Sequence, residues 1–530
     1  MAVLRTYEDV LAFDGGPTEA EQQLIDACKA GEQCTLGPDR PDTPDSARTI
    51  RADILRYLIV GGCEKCQVGE RGVHLVGGYI IGSLDTSFAA AHGATMLEKC
   101  FFASRFDSVQ TQFQLFNLSG SHLNGLFAQG AKIEGSVFLR DTSNSDTIRL
   151  NSSTIGGQLA CEGAELTATK DVALTFHSAE IGGTTTLQNV QATGTVDLRG
   201  ATIGGTLVCV GAFVKSQSAY SVIASDAQID GGVILHPRSQ EDKGVVQTPF
   251  RSTGEIQLNG ATIGGLYAQQ TTLVATSTGQ SLSLGGATVN GSVRLDGCST
   301  TGEILLAGSR ISGRLTCERL KLRNDNGHAF NGQAMRVEHS FVWKKVEHHS
   351  GAVSLNGAHV TELDDHPDNW PNSDRLFLDG FTYDRIKGTV STSPARMDWL
   401  KSGSYFGDEF RPQPYSQYAK FLRDTGHDED ARHVLYTRER KRRASTRAQL
   451  NASGHSFAGP LNLWAGFWDI LLRLVVGYGH HPFRSVAALA MLICCTVIPA
   501  HYAWEEGSFA PNAAPVLVSE HWTTLASTES

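Results

Sequence analysis

The chain has 530 residues and a mass of 57.0 kDa, with 41% apolar and 19% charged side chains, so it can bury a core and is no disordered segment. A net charge of −10 and a pI near 6.0 argue against nucleic acid as the partner of the whole chain. Eleven cysteines are too sparse for a disulfide scaffold, and the 56 glycines show no Gly-X-Y period of a collagen.

Met1 is not followed by a basic and then an apolar run, so no secretory signal is expected. Residues 1–70 read as a helical cap. Thr18-Glu-Ala-Glu has the spacing of a capping box opening a helix over Glu19–Lys29. Ser46–Val60 places Ile50, Ile54, Leu55 and Leu58 on one helical stripe. The single C-x-x-C of the chain follows at Cys63-Glu-Lys-Cys66. That spacing serves redox or zinc chemistry, but the strand–helix setting of a thioredoxin-like fold and a second ligand pair are both missing. Two ordinary thiols at the cap junction are the simpler expectation.

From residue 71 to 393 the chain repeats. Ile-Gly-Gly recurs at Ile155, Ile181, Ile203 and Ile263, with looser versions at Ile133, Ile229, Val289 and Ile311. Anchored on the last glycine (135, 157, 183, 205, 231, 265, 291, 313), the intervals are 22, 26, 22, 26, 34, 26 and 22 residues. Nine residues before the anchor stand Leu126, Ile148, Leu174, Val196, Val222, Ile256, Leu282 and Ile304, all apolar. Seven before it the column is again apolar, two before it only Ile or Val occurs, and four before it only Ala or Ser. Apolar residues two apart mark strands with one face inward. The small residue marks a tight corner, and the anchor glycine is expected to supply a backbone conformation that other residues resist. Coils this short cannot bury their columns alone, but stacked coils can. The expectation is a parallel β-solenoid with like residues in ladders.

The columns also read in fives, as Leu118, Leu123, Ala128, Ile133, Phe138 and Leu198, Ile203, Val208, Phe213. This resembles the pentapeptide-repeat proteins, and the resemblance implies a four-sided, right-handed coil; the longer intervals of 22 to 26 residues depart from that family and expand at least one side or corner. Weaker matches around Ile80, Met335, Val360 and Tyr383 bring the expected number of coils to about thirteen. At the strand spacing of a sheet such an array is roughly 60 Å long. His236–Thr253 reads as a loop leaving the coil.

Residues 394–459 change to a helical pattern. Tyr415–Asp424 and Asp428–Arg443 form an amphipathic hairpin around Gly426, with Tyr418, Leu422, Ala431, Val434 and Leu435 facing inward. It ends in Arg438, Arg440, Lys441, Arg442, Arg443 and Arg447 against the single Glu439. Residues 460–482, with Trp464 and Trp468, suit an amphipathic segment in a membrane interface. Residues 483–504 are apolar enough to span a bilayer, ending in Tyr502 and Trp504 as headgroup anchors. No Lys or Arg follows Arg484, an asymmetry that puts the solenoid in the cytoplasm and 505–530 outside.

These features occur together with specific strings. They are Arg48-Thr-Ile-Arg-Ala-Asp-Ile-Leu-Arg-Tyr-Leu, the Gly-Ala-x-Ile-Gly-Gly coils, Tyr415-Ser-Gln-Tyr-Ala-Lys-Phe-Leu-Arg-Asp and Val476-Gly-Tyr-Gly-His-His-Pro before the apolar helix. In that order they resemble a bacterial family of membrane-associated β-solenoid proteins often labelled "membrane-associated oxidoreductase". The resemblance implies a single-pass protein of the bacterial inner (cytoplasmic) membrane.

Chemistry is hard to find in the residues. No G-x-G-x-x-G links a strand to a helix, and neither H-E-x-x-H nor G-x-S-x-G occurs. Cys161, Cys209 and Cys317 fall in apolar columns and are expected to be interior. The adjacent pairs His348-His349 and His480-His481 would point to opposite faces of a strand, and Asp85, Asp141, Asp197 and Asp296 are scattered over the coils. No catalytic residue, metal or cofactor is assigned. The expected function is a membrane-tethered scaffold or assembly module, with the lipid bilayer, a protein partner of undetermined identity and self-association as its contacts. The alternative is an enzyme, either a redox protein using Cys63 and Cys66 or a glycan-active β-helix.

Overall fold

A computed structural model describes residues 4–236, 249–371, 374–387, 393–407, 409–452, 466, 482–508 and 514–528. Compactness divides the chain into two units, Met1–Gly407 and Asp408–Ser530.

The first unit is a parallel β-solenoid of about 13 coils. Coils carry up to four short strands, as in Thr262–Ile263, Leu266–Tyr267, Thr272–Val274 and Gln280–Ser283, and in some the last two merge into one long strand, as in Glu165–Thr175 and Phe213–Ile223. Within the two long sheets each strand pairs in parallel with its equivalents in neighbouring coils. A two-residue strand can turn only one side chain inward, so each face contributes one interior ladder. One ladder runs Leu84, Phe106, Leu126, Ile148, Leu174, Val196, Val222, Ile256, Leu282, Ile304, Phe330, Val353, Leu376. A second runs from Phe113 through Ile133, Ile155, Ile181, Ile203, Ile229 and Ile263 to Tyr383. Both are buried along their whole length. The apolar columns of the sequence are these ladders.

The corners divide the labour differently from the sequence expectation. The small residue four before the anchor is buried in all eight anchored coils, and where it is Ser153 or Ser309 its hydroxyl donates to the carbonyl three residues back at 2.7 Å. The anchor glycines, however, do not lie in the left-handed region. They are glycine because coils stack there: a Cβ on Gly183 would fall 2.9 Å from the Gly157 carbonyl oxygen of the preceding coil. The left-handed position sits five residues before the anchor, and Ser152, Ser178 and Asp226 occupy it as well as glycines. The extra residues of the 26-residue coils also have a place. Asn144 and Ile148, four apart, line the last two faces of a 22-residue coil, whereas Leu166 and Leu174, eight apart, do so in the next.

The N-terminal end corrects a boundary inside the expected helix Ser46–Val60. Thr49–Arg51 is a strand paired with Tyr79–Ile81, and only Ala52–Ile59 is helical. Ile50 is therefore a ladder residue opposite Ile80. Cys34–Thr35 likewise pairs with Gly72–Val76, so a first, partial coil lies within residues 1–70. An edge strand of the array provides a hydrogen-bonding partner that local helical periodicity does not encode. Helices α1 (Tyr7–Ala12), α2 (Glu19–Ala30) and α3 (Ala52–Ile59) belong to this end, and α2 and α3 pack on it through Leu24, Ile25, Ile54 and Leu58. Thr18 and Glu21 form the expected capping box of α2.

Glu21 also joins α2 to the first coil. It is fully buried and accepts hydrogen bonds from the Arg51 guanidinium, at 2.6 and 2.9 Å, and from the Arg51 backbone N–H at 2.9 Å. Burial works against its charge, but these donors and the Thr18 N–H outweigh it and hold the carboxyl below its usual range. A depressed carboxyl contributes stability that is complete above the unfolded value of about 4.3 and lost as pH falls through the folded one. Glu21→Gln is therefore expected to cost about 2 kcal/mol at pH 7. The gap to the wild type should close below about pH 4 in urea titrations. A gap independent of pH would show that the carboxylate charge plays no part.

At the C-terminal end, α4 (Pro394–Gly403) lies on the last coils, with Gly403 against Leu378. Arg396 makes a bidentate, buried ion pair with Asp365, at 2.8 and 3.0 Å, and Asp365 also accepts from Trp370 Nε1 at 2.7 Å. Trp343, Trp370 and Trp399 form a chain of rings beneath it. The second unit contains α5 (Gln413–Asp424), α6 (Asp428–Ala452), α7 (Pro482–Glu505), α8 (Ala514–Leu517) and α9 (Glu520–Thr528). In it α5 and α6 pair as a hairpin, and Tyr418, Leu422, Ala431, Val434 and Leu435 are buried as expected.

Candidate functional site

Two places in the chain carry side chains that ladder packing does not account for. The first is α7 with the basic stretch of α6. Helix α7 is apolar around its whole circumference; within Val486–Glu505 an 18-residue window has a mean hydropathy of 1.9 and none of that window is buried. Leu489, Met491, Leu492, Ile493, Val497 and Ile498 are all at least half exposed. A helix of a soluble protein buries such residues along a stripe, and exposing them all to water would be very costly. The one hydroxyl in its middle, Thr496, donates to the Leu492 or Ile493 carbonyl within the helix, at 3.1 and 2.9 Å. Tyr502 and Trp504 end it, both well exposed. Among the described residues this is one helix long and apolar enough to cross a membrane.

The last turns of α6 carry Arg438, Arg440, Lys441, Arg442, Arg443 and Arg447. Glu439 holds Arg443 at 3.1 Å and touches Arg442 at 3.9 Å, and Arg438 donates to Ser416 of α5 at 3.0 Å. Arg440 and Arg442 are exposed. One carboxylate among six cations leaves a strongly positive helix end. Trp464 and Trp468 lie outside the described residues, as do most of 460–482 and His480-His481.

The second place is the C-x-x-C. Gly62–Cys63 and Cys66–Gln67 form a two-stranded antiparallel hairpin in which Cys63 and Cys66 face each other across the turn Glu64–Lys65. Gly62 permits the close approach: its φ is +69°, and a Cβ would fall 2.0 Å from the Cys66 carbonyl oxygen. Tyr57, buried in α3, places its hydroxyl 3.1 Å from Cys63 Sγ. Cys63 is half-buried and Cys66 fully buried, and both are free thiols. The Tyr57 hydroxyl first, and the backbone N–H groups of Lys65, Tyr7 and Cys66 after it, hold the Cys63 thiol below its usual value, whereas burial pushes Cys66 up. Lys65 pairs with Glu8 of α1 beside the turn. Sequence reading found the spacing but had no means to find Tyr57, which sits on another element.

The remaining candidates are spent on structure. Cys161, Cys209 and Cys317 are interior, and burial pushes Cys209 up to about 12. Cys161 and Cys209 are two coils apart, with Leu187 in the ladder between them. His348 is turned inward and burial lowers its affinity for a proton, while His349 points out. Asp197 holds Arg199, and Asp296 accepts from Thr316 and the Glu318 N–H. A shallow groove of about 420 Å³ at one corner is lined by Asp296, Arg319, Lys321 and Glu347, of which Lys321 and Glu347 pair with each other. Of the expected loop His236–Thr253, Arg251–Thr253 belongs to a strand and Phe250 is buried, and 237–248 lie outside the described residues. Among the described residues no group of three or more His, Cys, Asp or Glu side chains is placed to hold a metal ion.

The fold and these sites define a parallel β-solenoid followed by a helix able to cross a membrane. No family model matches the chain, and no curated protein does.

Proposed function

We propose that this protein is a membrane-tethered β-solenoid that acts without catalysis as a scaffold or assembly module on the cytoplasmic face of a bacterial inner membrane. One observation carries the reading: α7 is apolar on every side and, among the described residues, its apolar span is not buried. The positive end of α6 supports it, because each cation near anionic headgroups contributes on the order of 1 kcal/mol. Absence of Lys and Arg after residue 484 supports the orientation, with the solenoid on the cytoplasmic side. Coils of up to four strands and the five-residue columns support kinship with pentapeptide-like solenoids and with the membrane-associated family whose strings the sequence resembles. The lateral faces of the coils offer repeated surface to a protein partner or a second copy, since helices cover both solenoid ends.

Washing membranes that contain the protein tests the tether. The full chain is expected to stay with the bilayer in both high salt and carbonate. Replacing the six α6 cations by glutamine should weaken the orientation bias and leave the protein carbonate-resistant. Extraction of the unaltered chain by carbonate would overturn the reading and make α7 a surface for another protein.

A further inference from the structure

We propose that Cys63 and Cys66 are a redox-active dithiol that closes to an intrachain disulfide, with Cys63 as the attacking sulfur and Cys66 as the resolving one. Directly opposed residues of an antiparallel pair have Cα atoms about 4.5–5.5 Å apart, inside the 4.4–6.8 Å that a disulfide bridges. The register places these two cysteines in such a pair, so the bond can form without moving the coils.

The surroundings assign different work to the two sulfurs. Cys63 is reachable from solvent and has the Tyr57 hydroxyl at 3.1 Å. Its thiolate gains donors from that hydroxyl and from backbone N–H groups. Thiolate fraction and access together set which thiol attacks first. Cys66 is buried and keeps its proton until a neighbouring sulfur becomes electrophilic. The nearby thiols of Cys28 and Cys34 are buried as well and pushed up to about 12 and about 11, so they are poor competitors. The Lys65–Glu8 pair ties the turn to α1, which puts the state of the hairpin in contact with the N-terminal cap.

With a low-molecular-weight disulfide as oxidant, the Cys63 thiolate attacks one of its sulfurs. A mixed disulfide forms and one small thiolate leaves. Cys66 then gives its proton to the departing small thiol and attacks Cys63 Sγ, expelling the second half of the oxidant. Two protein thiols become one disulfide, and one small disulfide becomes two thiols. A disulfide reachable from solvent on its Cys63 side belongs to the labile class and not to the permanent cross-links.

The test uses the full chain equilibrated in reduced and oxidised glutathione, quenched with acid, alkylated and mapped by mass spectrometry. The wild type is expected to pass in one step from two alkylated cysteines to a Cys63–Cys66 disulfide. Cys66→Ser should stop at glutathione on Cys63, and Cys63→Ser should lose both products. Tyr57→Phe keeps the ring and should shift the pH profile of Cys63 alkylation upward with an unchanged melting curve, which a purely structural tyrosine would not do. Full alkylation of both cysteines at every glutathione ratio would overturn the proposal. So would bonding of Cys66 to Cys28 or Cys34, glutathione on Cys66 in Cys63→Ser, or zinc bound to the purified chain at Cys63. None of these outcomes bears on the membrane tether.

Discussion

Replacing Ile203 by aspartate is expected to cost about 4 kcal/mol or more and to break the solenoid at that coil. Ile203 is fully buried, with Ile181 below it and Ile229 above it in one ladder. The substitution loses the transfer free energy of an isoleucine and puts a carboxyl where no donor exists on the ladder. The conservative Ile203→Val removes one methylene and should cost only about 1 kcal/mol. Because each coil contacts its neighbours alone, damage at one coil separates the array into two shorter ones. Thermal unfolding by circular dichroism should therefore lose its single transition in Ile203→Asp, and protease cuts should gather near residue 203. Equal melting curves for the two variants would mean that the column does not face the interior.

Arg396→Ala should produce the second large loss, about 3–5 kcal/mol, confined to the C-terminal end. It leaves the Asp365 carboxylate in a fully buried position with the Trp370 N–H but without its bidentate partner. The Arg396 ring contact with Trp399, at 4.8 Å, goes as well. Removing both charges, as Arg396→Met with Asp365→Asn, should recover much of the loss, because the cost comes from an uncompensated charge and not from the missing attraction. Hydrogen exchange should show α4 and the strand His359–Asp365 opening in the single variant while the middle coils remain protected. Uniform opening of the whole solenoid would show that the pair supports more than the cap.

These two losses also separate what could be read from the chain and what could not. Ile203 was legible: an Ile or Val two before each anchor glycine, repeated over the coils, is a direct image of a ladder. The capping box of α2, the inward face of the α5–α6 hairpin and the apolar length of α7 were legible for the same reason, since each is a pattern of near neighbours. The pair of Asp365 and Arg396 was not, because nothing in sequence links residues 31 apart on different elements. Tyr57 beside Cys63 was invisible in the same way; the chain between them crosses from a helix to a hairpin.

Misreadings had a physical cause too. Thr49–Arg51 shares the helical periodicity of the residues that follow it, yet the open edge of the array offers it backbone partners, and the edge prevailed. The anchor glycines looked like turn residues, but their backbones are not left-handed, and what excludes a side chain at all of them but Gly265 is the backbone of the coil beneath. By itself the sequence determined the repeat, the interior columns and the apolar helix, because these rest on composition at fixed spacing. Only the tertiary structure decided which groups meet across coils and elements, because stacking distance and buried charge depend on residues that the chain brings together after long intervals.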